Sequence, residues 1–148
     1  MKLPEDLREF IGLLTSHEVE FLVMGGHAVA FHGYPRFTGD IDFFVNPKPE
    51  NARRVAACLR AFGFHDAAAI EVELAQPGKL VQLGVPPFRI DLLTSVSGLS
   101  FEEAARESIP GQIDGLPARF PSKQALLANK RASGRSKDLL DVEELEKR

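Results

Sequence analysis

The apolar positions of the chain switch between helical and strand spacing. Leu7, Phe10, Ile11 and Leu14 recur at i, i+3, i+4 and i+7, which predicts an amphipathic helix from Pro4 to about Ser16. Phe21-Leu22-Val23-Met24 is a short apolar run closed by Gly25-Gly26, the pattern of a buried strand, and a short helix is expected over Ala28 to His32. Gly33-Tyr34-Pro35-Arg36-Phe37-Thr38-Gly39 is rich in turn formers and reads as a loop. Asp40 to Val45 reads as a strand that stops at Asn46-Pro47, and Glu50 to Phe62 as a helix ended by Gly63. Residues 66–79 carry conflicting signals. Ala67-Ala68-Ala69 favours helix, whereas Ile70, Val72 and Leu74 alternate like a strand, so the stretch stays unassigned. Leu80 to Val85 and Phe88 to Thr94 look like two strands joined across Pro86-Pro87. A helix over Phe101 to Glu107, a hairpin turning at Asp114-Gly115 and two terminal helices follow, the latter opening near Ser122 and Ser136 with Gly134 between them.

This order predicts an α+β fold, a mixed central sheet flanked by helices with further helices at the C-terminus and the Asp-bearing strands at the centre. At 148 residues, 44% hydrophobic and 26% charged, the chain suits a single domain over 1–148 with a core that needs no disulfide. No apolar run reaches the ~20 residues of a membrane span, and Met1 to Asp6 offers no apolar stretch for secretion, so a cytoplasmic protein with no membrane partner is expected. Cys58 lies among Val55, Leu59 and Phe62 at helical spacing and reads as a buried core thiol. A net charge of −3 makes no whole-chain case for nucleic-acid binding. Its distribution says more: Arg119, Lys123, Lys130, Arg131, Arg135 and Lys137 come without an acid among them, then Asp138 to Glu146 is dominated by acids. Either a solvated basic helix precedes an acidic one, or the basic stretch forms a cationic wall facing phosphates.

The chemistry concentrates in the strands. Asp40 and Asp42 are two apart, so both project from one face while Ile41, Phe43 and Val45 hold the other in the core. Two carboxylates so close strain each other at neutral pH unless a cation lies between them, and a divalent metal is the natural resolution. Asp91 repeats the pattern between Ile90 and Leu92. Three carboxylates converging from neighbouring strands can hold two hard cations about 3.5–4 Å apart, the arrangement used for in-line displacement at phosphorus. Upstream, a strand ending in Gly25-Gly26 before a helix start leaves backbone N–H groups free for a triphosphate with nothing bulky in the way. Arg36, just before the aspartates, could reach that triphosphate bidentately or stand as an exposed loop arginine. Lys130 and Lys137 could add phosphate contacts. Asp138 and Asp141 read as complements to a helix dipole, and His17, His27, His32 and His65 show no ligand spacing.

Taken together, Gly25-Gly26, Asp40-Ile41-Asp42 and Arg89-Ile90-Asp91-Leu92-Leu93 resemble the DNA polymerase beta nucleotidyltransferase superfamily. The segment from Met24 to Asp42 and the ending Lys130-Arg131-Ala132-Ser133-Gly134-Arg135-Ser136-Lys137-Asp138 are similar to its small bacterial members related to abortive-infection and toxin–antitoxin enzymes, so the resemblance runs from about Phe21 to the C-terminus. It implies a polymerase-beta-like palm in which Asp40 and Asp42 bind two Mg²⁺ or Mn²⁺ ions, Asp91 binds the catalytic one, and Gly25 and Gly26 hold the triphosphate. Two departures stand out: many active relatives have Ser where this chain has Gly26, and larger relatives carry a helical domain for which this chain has little room.

The reading is therefore a metal-dependent nucleotidyltransferase that moves NMP from an NTP such as ATP to a hydroxyl on a partner protein, an RNA end or a small molecule, releasing pyrophosphate. The sequence does not choose among acceptors, nucleotides or oligomeric states. Loss of one carboxylate would favour a non-catalytic antitoxin or regulator that keeps the fold, yet all three are present. A two-metal nuclease or phosphatase would leave the Gly-Gly turn unused.

Overall fold

The computed structural model describes residues 3–36, 38–85 and 88–148. The Pro86-Pro87 join and the Phe37 position of the loop lie outside them.

The Leu7, Phe10, Ile11, Leu14 stripe is the buried face of α1 (Glu5–Ser16). The chain then forms β1 (Phe21–Met24), α2 (Gly25–Phe31), β2 (Asp40–Val45), α3 (Pro49–Phe62), α4 (Ala67–Leu74), β3 (Leu80–Val85) and β4 (Phe88–Leu93). After these come α5 (Phe101–Arg106), β5 (Ile109–Ile113), β6 (Leu116–Phe120), α6 (Lys123–Ser133) and α7 (Ser136–Glu146). Four strands make a mixed sheet in the order β1-β2-β4-β3, with β2 and β4 parallel at its centre and antiparallel neighbours outside. The expected architecture is met, and the strands carrying the aspartates are the central pair.

One face of that sheet is the core. Val23, Ile41, Phe43, Val45 and Leu92 are fully buried with Phe10, Ile11 and Leu14 of α1 and Val55 and Leu59 of α3. The Phe43 ring lies 5.8 Å from Phe10 and 5.6 Å from Phe21, and burying such a ring contributes about 1.5–3 kcal/mol. The pleat then forces Asp40, Asp42 and Phe44 to the opposite face. There Leu22, Met24 and Phe44 pack under Phe101 and Ala104 of α5, with Phe44 meeting Phe101 edge-on at 5.1 Å. A capping box fixes where α5 starts: Ser100 Oγ accepts from the Glu103 N–H at 3.1 Å, and the Glu103 carboxylate accepts from the Ser100 N–H.

The ambiguous stretch 66–79 is mostly helix. Ala67 and Leu74, one heptad apart, are buried in α4, while Val72, which a strand would have turned inward with Ile70 and Leu74, is exposed. The alanine run decides it because its side chains lose no rotamer freedom in a helix. The second helix starts at Gly25 rather than Ala28: Gly25 takes φ +64°, so the chain turns from strand to helix with no intervening loop. The predicted hairpin forms, with Ile113 opposite Leu116 and positive φ at both Asp114 and Gly115, as a type I′ turn demands.

At the C-terminus Ser122 caps α6 by accepting from the Ala125 N–H at 3.1 Å, and Gly134 at φ +67° reverses the chain into α7. The buried face of α7 is Asp138, Asp141, Val142 and Leu145, at i, i+3, i+4 and i+7. Leu139 and Leu140 are 47% and 51% exposed, whereas Asp138 and Asp141 are 1% and 2% exposed, so the first half of this helix turns its acids inward and its leucines outward.

Candidate active site

Register puts the three carboxylates on one face of the central strand pair. In the parallel β2–β4 pair Asp42 lies opposite Asp91 and Asp40 opposite Arg89, and in the antiparallel β1–β2 pair Met24 lies opposite Asp42. Neighbouring strands are about 4.8 Å apart, so Asp42 and Asp91 share one stretch of sheet face and the Gly25 turn begins beside them. Asp91 is buried, and Asp40 and Asp42 are both half-buried.

Gly25 belongs there for a steric reason. A Cβ at that position would lie 2.5 Å from Asp42 Oδ2, and its φ of +64° also disfavours any side chain. Gly26 is crowded differently, since a Cβ would meet Thr38 at 3.0 Å while Thr38 Oγ1 donates to the Asp40 carbonyl at 3.0 Å. Thr38 therefore fills the space that a serine at position 26 would need. His27, next in the turn, is buried, and burial lowers its pKa.

A cation that the sequence reading passed over holds the cluster. Arg89 Nη2 donates to Asp40 Oδ2 at 3.0 Å and to Asp91 Oδ2 at 3.1 Å, and Arg89 Nε donates to Asp91 Oδ1 at 2.8 Å. One guanidinium thus spans two of the three carboxylates. Asp42 lies outside its grip, and burial first, then repulsion from Asp91 and Asp40, raises its pKa from 3.8 to about 6 against a smaller opposing pull from Lys130. Among the described residues no three metal-binding side chains stand together as a ready cage, consistent with a guanidinium between Asp40 and Asp91. The donor set itself, all carboxylate oxygen, suits a hard divalent cation.

The basic residues divide. Lys130 is buried on α6, with Nζ 2.9 Å from Asp138 Oδ1 and 3.1 Å from Asp141 Oδ2. Arg36 is not a free loop arginine: its Nη2 donates to Asp141 Oδ2 at 2.9 Å. Asp138 and Asp141 therefore do more than complement a helix dipole, since they form the buried ionic seam between α6, α7 and the loop before β2. Although burial pushes the Asp138 pKa up, hydrogen bonds from Ser133, Lys130 and Arg135 outweigh it and hold it at about 2. Lys137 stands apart, exposed in the first turn of α7, with no ion pair among the described residues.

The missed residues left signals. Arg89 is two positions before Asp91 and so on the same strand face, and Asp138 and Asp141 occupy two places of the i, i+3, i+4, i+7 stripe that ends in Val142 and Leu145. A cavity of about 980 Å³ lies on the Asp42 side of the sheet but at the far end of β2, lined by Leu22, Phe44, Leu99, Phe101, Pro110 and Ala118 among others, and none of the three aspartates borders it.

Solved structures share this architecture. ANT(2″)-Ia, crystallised in complex with adenylyl-2″-tobramycin, aligns with a TM-score of 0.58 and 15% identity over 94% of this chain and 84% of its own. A Thermotoga maritima protein described as a nucleotidyltransferase aligns at 0.55 and 16%, covering 95% of this chain and 88% of its own. This is the nucleotidyltransferase fold. An antigenic nucleotidyltransferase-like protein of Paracoccidioides brasiliensis has it as well, at 0.54 and 14% over 95% of this chain and 74% of that one. No family model and no curated protein matches the chain. Within the nucleotidyltransferase fold, this chain places its three aspartates on the two central strands and its glycine turn beside them. Among the described residues no helix is long and apolar enough to cross a membrane.

Proposed function

We propose that this chain transfers a nucleoside monophosphate from an NTP to a hydroxyl, with pyrophosphate leaving. The observation that carries the reading is the pairing of Asp42 with Asp91 in register, with the Gly25 backbone held against Asp42 where no side chain fits. Asp40, Asp42 and Asp91 would hold divalent cations, Mg²⁺ or Mn²⁺, which when bound neutralise charge on the attacking and leaving oxygens. The rest falls to the chain. Backbone N–H groups of Gly25 and Gly26 receive the triphosphate, and Arg36 and Lys130, with Lys137 nearer solvent, supply its counter-charge. The acceptor hydroxyl oxygen forms a bond to the α-phosphorus while the bond from that phosphorus to the bridging oxygen breaks and pyrophosphate departs. Asp91, buried and fixed by two bonds from Arg89, takes the hydroxyl proton. The adenylylated tobramycin in complex with ANT(2″)-Ia supports a small-molecule hydroxyl as one acceptor class, alongside a partner protein or an RNA end.

Incubation of the purified protein with each labelled NTP, Mg²⁺ or Mn²⁺ and a cell extract tests this. Label in a product together with free pyrophosphate is expected. Absence of both with all four nucleotides would refute the reading.

A further inference from the structure

The seam between α6 and α7 is built against the usual economy of a helix pair. A leucine at position 138 or 141 would seal it without desolvating a charge, and two leucines are at hand on the same helix, yet Leu139 and Leu140 face solvent and the acids face in. Asp138 has a complete local set of partners in Ser133, Lys130 and Arg135. Asp141 is different, because its partners come from elsewhere: one oxygen, Oδ2, accepts a hydrogen bond from Arg36 of the loop that leads into Asp40 and pairs ionically with Lys130 of α6 at 3.1 Å.

Arg36 and Lys130 are joined by nothing else among the described hydrogen bonds and ion pairs. Arg36 spends one of its five N–H donors on Asp141, and its Nε is buried with no partner at all. The cluster of Arg36, Lys130, Arg135, Asp138 and Asp141 carries more positive than negative charge, and Thr38, two residues beyond Arg36 in its loop, lies against Gly26 of the glycine turn.

We propose that Asp141 is a positioning residue, whose single carboxylate oxygen fixes Arg36 and Lys130 side by side as one receptor for the triphosphate beside the aspartates. This rests on the nucleotidyl-transfer reading and adds to it a residue from the last helix that touches no substrate. It acts by orientation, which gives it a distinctive sign. Removing a negative charge should, by Coulomb attraction alone, strengthen the hold on an anion; removing a positioning residue should weaken it.

The experiment compares the parent with Asp141→Ala and Asp141→Asn for Mg²⁺–NTP affinity and, separately, for Mn²⁺ affinity without nucleotide. Folding is expected to survive in both variants, because Lys130 keeps Asp138 as a partner and Arg36 reaches solvent. Asp141→Ala should weaken Mg²⁺–NTP binding roughly ten-fold or more, the equivalent of one charge-assisted hydrogen bond, while Mn²⁺ binding stays near the parent value. Asp141→Asn, which keeps an acceptor oxygen without the charge, should fall between. In an Arg36→Ala background the loss from Asp141→Ala should shrink. Should the Ala variant not fold, the Asn variant alone decides by the same sign. NTP affinity equal to or tighter than the parent overturns the proposal, as does an equal loss of Mn²⁺ binding, which would mark a merely structural role. A parent protein that binds no Mg²⁺–NTP overturns the nucleotidyl-transfer reading and this one together.

Discussion

Arg89 grips Asp91 twice, through Nε at 2.8 Å and Nη2 at 3.1 Å, and with the same Nη2 reaches Asp40 across the strand pair. The guanidinium takes the place that a cation between these carboxylates would occupy, so a metal bound as proposed would have to compete with Arg89 for the same oxygens. Arg89→Met is expected to bind Mn²⁺ several-fold more tightly than the parent in the absence of nucleotide, measured by calorimetry or by the paramagnetic signal of free Mn²⁺. Weaker or unchanged binding would mean that Arg89 shapes the carboxylates for the metal rather than standing in for it.

Asp42 gives a pH test of the same cluster in metal-free buffer. Its pKa is raised in the folded state, to about 6 from 3.8, so the carboxyl favours folding below about pH 4 and that contribution is lost as pH rises through 6. A displacement of that size is worth up to ~3 kcal/mol. With chelator present, Asp42→Asn should match the parent in thermal stability near pH 4 and exceed it at pH 8, and adding Mg²⁺ should close the gap from the parent side. An Asn variant that is less stable than the parent at pH 8 would contradict the assignment.

Chemistry and binding separate at Asp91. Ile90 and Leu92, not Asp91, face the core, so Asp91→Asn should fold and keep much of its NTP affinity. It should lose transfer by ~10²–10⁴-fold, the usual worth of a positioned general base, because the amide neither takes a proton nor binds a hard cation well. Affinity, label transfer and thermal unfolding are to be measured on one preparation. Transfer within a few-fold of the parent would place the catalytic carboxylate elsewhere.

Gly25 and Gly26 should behave differently on substitution. Gly25→Ala forces a Cβ to within 2.5 Å of Asp42 Oδ2 at a positive φ, which should cost about 1–3 kcal/mol in stability and displace Asp42 from the site. Gly26→Ser meets the Thr38 side chain first, at 3.0 Å, and pairing it with Thr38→Ala should restore stability lost by Gly26→Ser alone. Thermal melts of the three variants check both statements, and equal melting temperatures for Gly25→Ala and the parent would count against the close approach.

The sheet was legible because its strands alternate cleanly: Ile41, Phe43 and Val45 against Asp40 and Asp42 leaves one choice of face. Residues 66–79 were not, because the two signals there have similar strength and α4 buries little besides Ala67 and Leu74. Spacing put Asp40 and Asp42 on one strand face, and it took the family resemblance to join them with Asp91 and the glycine turn as one candidate site. What spacing could not supply was register, without which the Arg89 bridge to Asp40 could not be anticipated, or the packing of α7 against the loop before β2, without which the Arg36–Asp141 pair could not. The inward acids of α7 escaped for a simpler reason: hydrophobic periodicity looks for apolar residues, and a core stripe that begins with two aspartates reads as a solvated one.

The Arg36–Asp141 pair also sets an order of events during synthesis. A chain emerging from the ribosome delivers Gly25, Arg36 and the three aspartates early, but Lys130 and Arg36 remain without their shared anchor until α7 has followed. At roughly 5–20 residues per second that interval lasts seconds. Throughout it Arg36 has no carboxylate to hold it, so on the proposed reading a nascent copy that lacks α7 has its three aspartates before the nucleotide's receptor is finished.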